Sequence, residues 1–159
     1  MVRFVVGMKK CLLIGFGNTL RRDDGLGPYI VDSIAVESYC GMEVRKISIP
    51  QIDLILADDL SKVDLALFVD SRIDDSDDLV KVEHCAPSRE PSLCSHTSHS
   101  LSIQDLINLT RDLYGRVPES YIVMPKGFDF SLGEDLTSKA KKSAVLAVQT
   151  VTDLVYQLG

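Results

Sequence analysis

Apolar residues along this chain occur in two alternating forms, short unbroken runs and longer one-sided repeats, and that alternation is what first constrains the fold. Residues 10–14 (Lys10-Cys11-Leu12-Leu13-Ile14) and 65–69 (Leu65-Ala66-Leu67-Phe68-Val69) are near-continuous apolar runs, the pattern of strands buried on both faces of a parallel sheet. Residues 44–49 alternate and stop at Pro50, residues 79–84 alternate again, and residues 121–124 form a last apolar run. Each predicts a strand. Between them, Tyr29, Ile30, Ile34 and Val36 predict a helix entered at Pro28 and continuing to residue 39, before Gly41. Helical spacing recurs over 52–60, over 100–114 between a serine cap and Gly115, and over 137–158. Residues 72–78, 86–98 and 125–136 carry no period and predict loops. Strands alternating with helices predict an α/β fold of three layers, a largely parallel twisted sheet with helices on both faces.

With 159 residues, 45% of them hydrophobic, the chain reads as a single domain over 1–159 with its own core. Residues 1–7, ahead of Met8, read as a weakly ordered extension. A net charge of −6 argues against broad nucleic-acid affinity. No apolar stretch reaches the roughly 18 residues needed to cross a bilayer, and no secretory pattern precedes the first strand. A cytoplasmic protein without a membrane partner is expected. Cys11, Cys40, Cys85 and Cys94 form no C-x-x-C pair, so reduced thiols are expected too.

Chemistry concentrates after the first run, in Gly15-Phe16-Gly17-Asn18-Thr19-Leu20-Arg21-Arg22-Asp23-Asp24-Gly25-Leu26-Gly27. Glycines allow a sharp turn at a strand end, where ligands of open α/β sheets gather. A dinucleotide fingerprint would need a third glycine where Leu20 stands, and two acids follow where pyrophosphate would sit. Asp23 and Asp24 therefore suit a cation or a proton better than a phosphate; as bland alternatives they form a turn or cap the helix. Asp70 directly follows five apolar residues and falls at the carboxyl end of a central strand. His99, with His96 as its rival, precedes a helix. Two carboxylates and one imidazole suit a borderline divalent metal such as nickel, zinc or cobalt. No G-x-S-x-G elbow supports a serine nucleophile, and Cys94 near His96 and His99 is a weak cysteine candidate.

Assembled, these residues resemble the hydrogenase maturation proteases, endopeptidases that trim the C-terminus of the nickel-containing hydrogenase large subunit. The glycine-rich run with Asp23-Asp24-Gly25-Leu26-Gly27 is similar to the family's N-terminal signature. Phe68-Val69-Asp70-Ser71 resembles its central strand, and Ser98-His99-Ser100-Leu101 its histidine segment. Residues 127–137 resemble the loop that introduces its last helix. The resemblance implies Asp24, Asp70 and His99 as ligands to nickel already seated in the precursor, with no permanent cofactor, and Asp24 and Asp70 as the acids that serve hydrolysis. Both metal-assisted and carboxylate-led cleavage are compatible with them. Asn18 and Asp23 of the signature loop, and Gln51, are assigned to substrate binding. Ile49-Pro50-Gln51 stands where some members carry a glycine-glycine-threonine recognition motif. The implied partner is a hydrogenase large-subunit precursor. Two other readings use the same residues or fold: a metal-sensing chaperone that holds the precursor without cutting it, and a small nucleotide-binding module.

Overall fold

The computed structural model describes residues 7–35, 38–39, 41–90 and 101–159. The chain runs through β1 (Lys9–Phe16), a short 3-10 turn (Arg22–Gly25), α1 (Leu26–Ser33), β2 (Ser38–Tyr39), β3 (Met42–Ile49), α2 (Leu56–Leu60), β4 (Leu65–Val69), β5 (Val80–His84), α3 (Ile103–Tyr114), β6 (Glu119–Pro125) and α4 (Ser138–Leu158). The six strands lie in the order β2-β3-β1-β4-β6-β5. The inner four are parallel, and the edge strands β2 and β5 pair antiparallel.

The unbroken apolar runs are explained by what covers them. Cys11 and Leu13 of β1 and Leu65, Leu67 and Val69 of β4 face a layer built by Leu26, Ile30 and Val31 of α1 and Ala140, Ala144, Ala147 and Val151 of α4. Leu12, Ile14 and Phe16, with Ala66 and Phe68, face the opposite layer, where Leu56 and Leu60 of α2 meet Ile103, Leu106 and Ile107 of α3. Both faces of each central strand are dry, so alternation disappears from the sequence. Full burial of side chains such as Leu12, Leu13 and Ile14 contributes about 1.5–3 kcal/mol apiece. This is the three-layer α/β arrangement expected.

Two predicted helices are shorter than their patterns. The first ends at Ser33, not at residue 39, and Ile34 is extended at φ −85 and ψ 112. The Ser33 hydroxyl donates to Tyr29 O at 2.6 Å, a side-chain bond that competes with helix continuation. Ile34 remains buried from its extended backbone, so the apolar period persists after the helix has stopped. The second helix occupies Leu56–Leu60 rather than 52–60. Asp53 Oδ1 accepts from Ile55 N at 3.0 Å, folding the segment into an Asx turn. The α3 cap is Ser102, in a reciprocal capping box with Asp105, and not Ser100.

Cys11 is buried and free, its thiol pushed up to about 12 by desolvation. Cys85, expected as a reduced thiol, is instead disulfide-bonded, and its partner lies outside the described residues.

The sheet reverses its winding between β1 and β4. The chain leaving β1 passes to α1 on one face, whereas the chain leaving β3 returns through α2 on the other to place β4 on the far side of β1. Such a switch point opens a crevice at the carboxyl ends of the two strands. Glycines allow α1 to close upon it: a Cβ on Gly27 would lie 2.4 Å from Val69 O and 2.5 Å from Phe16 O, and one on Gly15 would lie 2.4 Å from Gly27 O. All of those partners are backbone atoms, which cannot yield as a flexible side chain would. Gly27→Ala is therefore expected to destabilise the fold by about 3 kcal/mol or more, measured as a lowered urea midpoint; an unchanged midpoint would contradict this packing.

Candidate active site

Gly17 begins the turn after β1 at φ +148, and a Cβ there would stand 1.9 Å from Asp24 O. Only glycine permits this approach. The loop then folds on itself: Arg21 N donates to Asn18 O at 3.1 Å and Asp24 N to Arg21 O at 3.0 Å. Asn18 Oδ1 accepts from Leu20 N at 2.9 Å. Arg22 takes the left-handed region at φ 43, a conformation costly for a side chain of this size. The result is a half-buried Asp24 whose Oδ2 accepts from Asn18 N at 3.0 Å.

Asp70 follows Val69, which pairs with Gly15 at the end of β1. Its backbone N–H donates to Val123 O at 3.2 Å, anchoring it beside β6. Burial is the main force on its carboxyl, the neighbouring Asp24 charge adds to it, and a backbone hydrogen bond from Ser71 opposes both; the pKa rises to about 8. Asp24 thus lies near enough to Asp70 for its charge to oppose ionisation there. Among the described residues neither acid forms an ion pair. Enclosed negative charge without a cationic partner suits a cation or a shared proton.

The remaining predicted residues divide. His99, the third expected ligand, lies outside the described residues, as do His96 and Cys94. Among the described residues no three His, Cys, Asp or Glu side chains group closely enough to hold a metal ion. Asn18 is exposed at the crevice rim, and Gln51 is exposed after β3 at the same edge of the sheet. Asp23 requires correction: it is fully buried and cannot touch a substrate. Its Oδ2 accepts from Phe128 N at 2.8 Å, Asp129 N at 3.0 Å and Thr137 Oγ1 at 2.8 Å, while its Oδ1 accepts from Thr137 N at 2.8 Å. Those donors absorb the carboxylate completely. Sequence reasoning missed Thr137 as the donor, although a threonine directly before a helical repeat is a signal of a cap. It is the N-cap of α4, accepting from Ala140 N at 3.1 Å.

No family model and no curated protein matches this chain. Solved structures do. The hydrogenase-maturating endopeptidase HybD from E. coli superposes with a TM-score of 0.72 over 96% of this chain and 94% of its own, at 17% identity. The nickel-iron hydrogenase maturation protease HybD from Thermococcus kodakarensis gives 0.68 over 92% and 99%, at 19% identity. The maturation protease HycI from Thermococcus kodakarensis KOD1 gives 0.67 over 94% of each chain, at 14% identity. The chain has the fold of the hydrogenase maturation proteases. In that fold the crevice at the β1 and β4 ends is the place where this chain sets its two coupled acids.

The raised pKa of Asp70 gives a stability signature of defined sign. The folded state holds this proton up to about 8, whereas an unfolded aspartate releases it near 3.8. The contribution is whole below the lower value and is lost as pH rises through the upper one. Relative to Asp70→Asn, the native protein should therefore lose urea resistance steadily from pH 5 to pH 9; parallel curves for the two proteins would show that Asp70 is not enclosed beside a like charge.

Proposed function

We propose that this protein is an endopeptidase that removes a C-terminal peptide from the nickel-loaded large-subunit precursor of a nickel-iron hydrogenase. The observation that supports the reading most is the placement of Asp24 beside a buried Asp70, whose pKa is raised to about 8, in a switch-point crevice. The fold, common to proteins named as hydrogenase maturation proteases, supports the same reading.

A carboxyl whose pKa is raised, set beside a second carboxyl, can supply a donor next to an acceptor. In the reaction proposed, Asp24 takes a proton from the attacking water, its oxygen adds to the scissile carbonyl, and the peptide C–N bond breaks as the leaving amine is protonated. Asp24, Asp70 and His99 are the residues that would face nickel carried by the precursor, which bound there would polarise the scissile carbonyl. Ligation needs ionised carboxyls, so Asp70 would release its proton to solvent on engagement, and the proton that Asp24 has taken from the water would pass to the leaving amine. Asn18 and Gln51, exposed after β1 and after β3 at the same edge of the sheet, are the groups proposed to hold the polypeptide. No helix of the described residues is long and apolar enough to cross a membrane, and the proposed site of action is the cytoplasm.

The test is intact-mass measurement on a nickel-loaded precursor incubated with the native protein and with Asp70→Asn. The native protein should shorten the precursor, and the variant, melting as a folded protein, should do so at least about a hundredfold more slowly. Equal processing by the variant would remove Asp70 from the reaction. A precursor that binds but keeps its mass would make the protein a chaperone, and stabilisation by a nucleotide would favour the nucleotide-binding reading.

A further inference from the structure

Asp23 is a buried carboxylate that touches nothing outside the protein, and what it touches inside is informative. Its partners, Phe128, Asp129 and Thr137, belong to one segment more than a hundred residues away in sequence, with separations of 105, 106 and 114. The same segment is also tied to the loop that carries Asp70. Arg72 N donates to Pro125 O at 3.0 Å, and Gly127 N donates to Arg72 O at 2.7 Å. Consecutive amides therefore reach in two directions: Gly127 to the Asp70 loop, Phe128 and Asp129 to the Asp24 loop.

Further bonds run along the Asp24 side. Asp23 N donates to Asp129 O at 3.0 Å, Arg22 N to Gly133 O at 2.8 Å and Gly133 N to Leu20 O at 2.9 Å. Arg21 Nε donates to Phe130 O at 3.1 Å. A Cβ on Gly127 would lie 3.1 Å from Asp23 Cβ and closer still to the Phe130 ring, so the carboxylate sits hard against the crossing point. Thr137 Oγ1 donates to Asp23 while accepting from Ala140 N, which extends the tie into the first turn of α4.

We propose that Asp23 is a positioning residue that sets the spacing between Asp24 and Asp70 by clamping the 127–137 segment across both of their loops. A buried anion that accepts several short hydrogen bonds is a stiff junction, because each donor would be left unpaired in a dry environment if the carboxylate moved. Asp24 follows Asp23 directly in the chain, so the junction transmits its position to the reacting group. The inference rests on Asp24 and Asp70 being the reacting pair.

The experiment uses the full chain with Asp23→Asn, which keeps shape but turns one acceptor atom into a donor facing backbone N–H groups, together with Thr137→Val and Thr137→Ser. Amide exchange should accelerate at least about tenfold at Phe128, Asp129, Thr137 and also Gly127 in Asp23→Asn, with β1 and β4 still protected. With the nickel-loaded precursor, kcat should fall about a hundredfold while KM changes little. Thr137→Val should give a smaller fall that nearly vanishes when added to Asp23→Asn, and Thr137→Ser should restore kcat.

Unchanged kcat in Asp23→Asn with the sheet intact would overturn the proposal. So would continued protection of Gly127 while Phe128 and Asp129 open, because the clamp would then stop short of the Asp70 loop. Uniform loss of protection, with activity per folded molecule unchanged, would reduce Asp23 to a stability role and overturn it as well. Should the native protein cleave no precursor, the functional reading fails by itself, and the exchange pattern still decides whether the clamp joins the two loops.

Discussion

The structure is organised around an unfavourable contact: two carboxyl groups held close together in a partly enclosed crevice, with no cation beside them among the described residues. Left to themselves, like charges separate into water. Here separation is prevented by covalent placement at adjacent strand ends, by backbone contact of α1 through Gly15 and Gly27, and by a turn that only glycine can make at position 17. The conflict is eased by the raised pKa of Asp70, which favours its neutral form beside Asp24. Free energy from two dry layers of core is what holds the pair in place.

The arrangement accounts for a signature that looks redundant in the sequence. Asp23 and Asp24 are adjacent acids of the same type, yet one is sealed inside and the other lines the crevice. A carboxylate that satisfies three backbone N–H groups and a hydroxyl is a structural part, as a cap is. Its neighbour Asp24 has one backbone donor and lies near a second acid, which is why the proposed chemistry is assigned to it. A 3-10 turn with Arg22 in the left-handed region places successive side chains on opposite sides of the loop.

Much of this is legible in the amino-acid sequence alone. Dry strands announce themselves by unbroken apolar runs, so β1 and β4 are readable, and the residue following each run is bound to emerge at the ligand-binding edge. Asp70 is visible on that logic, and Asp24 through the glycine-rich loop that follows the first run, both independent of any resemblance. What stays hidden depends on contacts distant in sequence or on local competition with the helical period. Ile34 satisfies the helical period of α1 from an extended backbone, because burial does not distinguish the two. Asp53 interrupts its apolar repeat locally by an Asx turn. The role of Asp23 is set by donors 105 to 114 residues away, and the bonding of Cys85 by a partner that no spacing rule identifies.

The central claim is that Asp24 and Asp70 act as one electrostatic unit at the junction of β1 and β4, and carbon-detected NMR titration of their side-chain carboxyls tests it most directly. The Asp70 carboxyl should titrate near 8 and move toward the ordinary carboxylate range, though not all the way, in Asp24→Asn, since burial persists when the neighbouring charge is removed. An Asp70 carboxyl that titrates in the ordinary range, or that ignores the loss of Asp24, would contradict it.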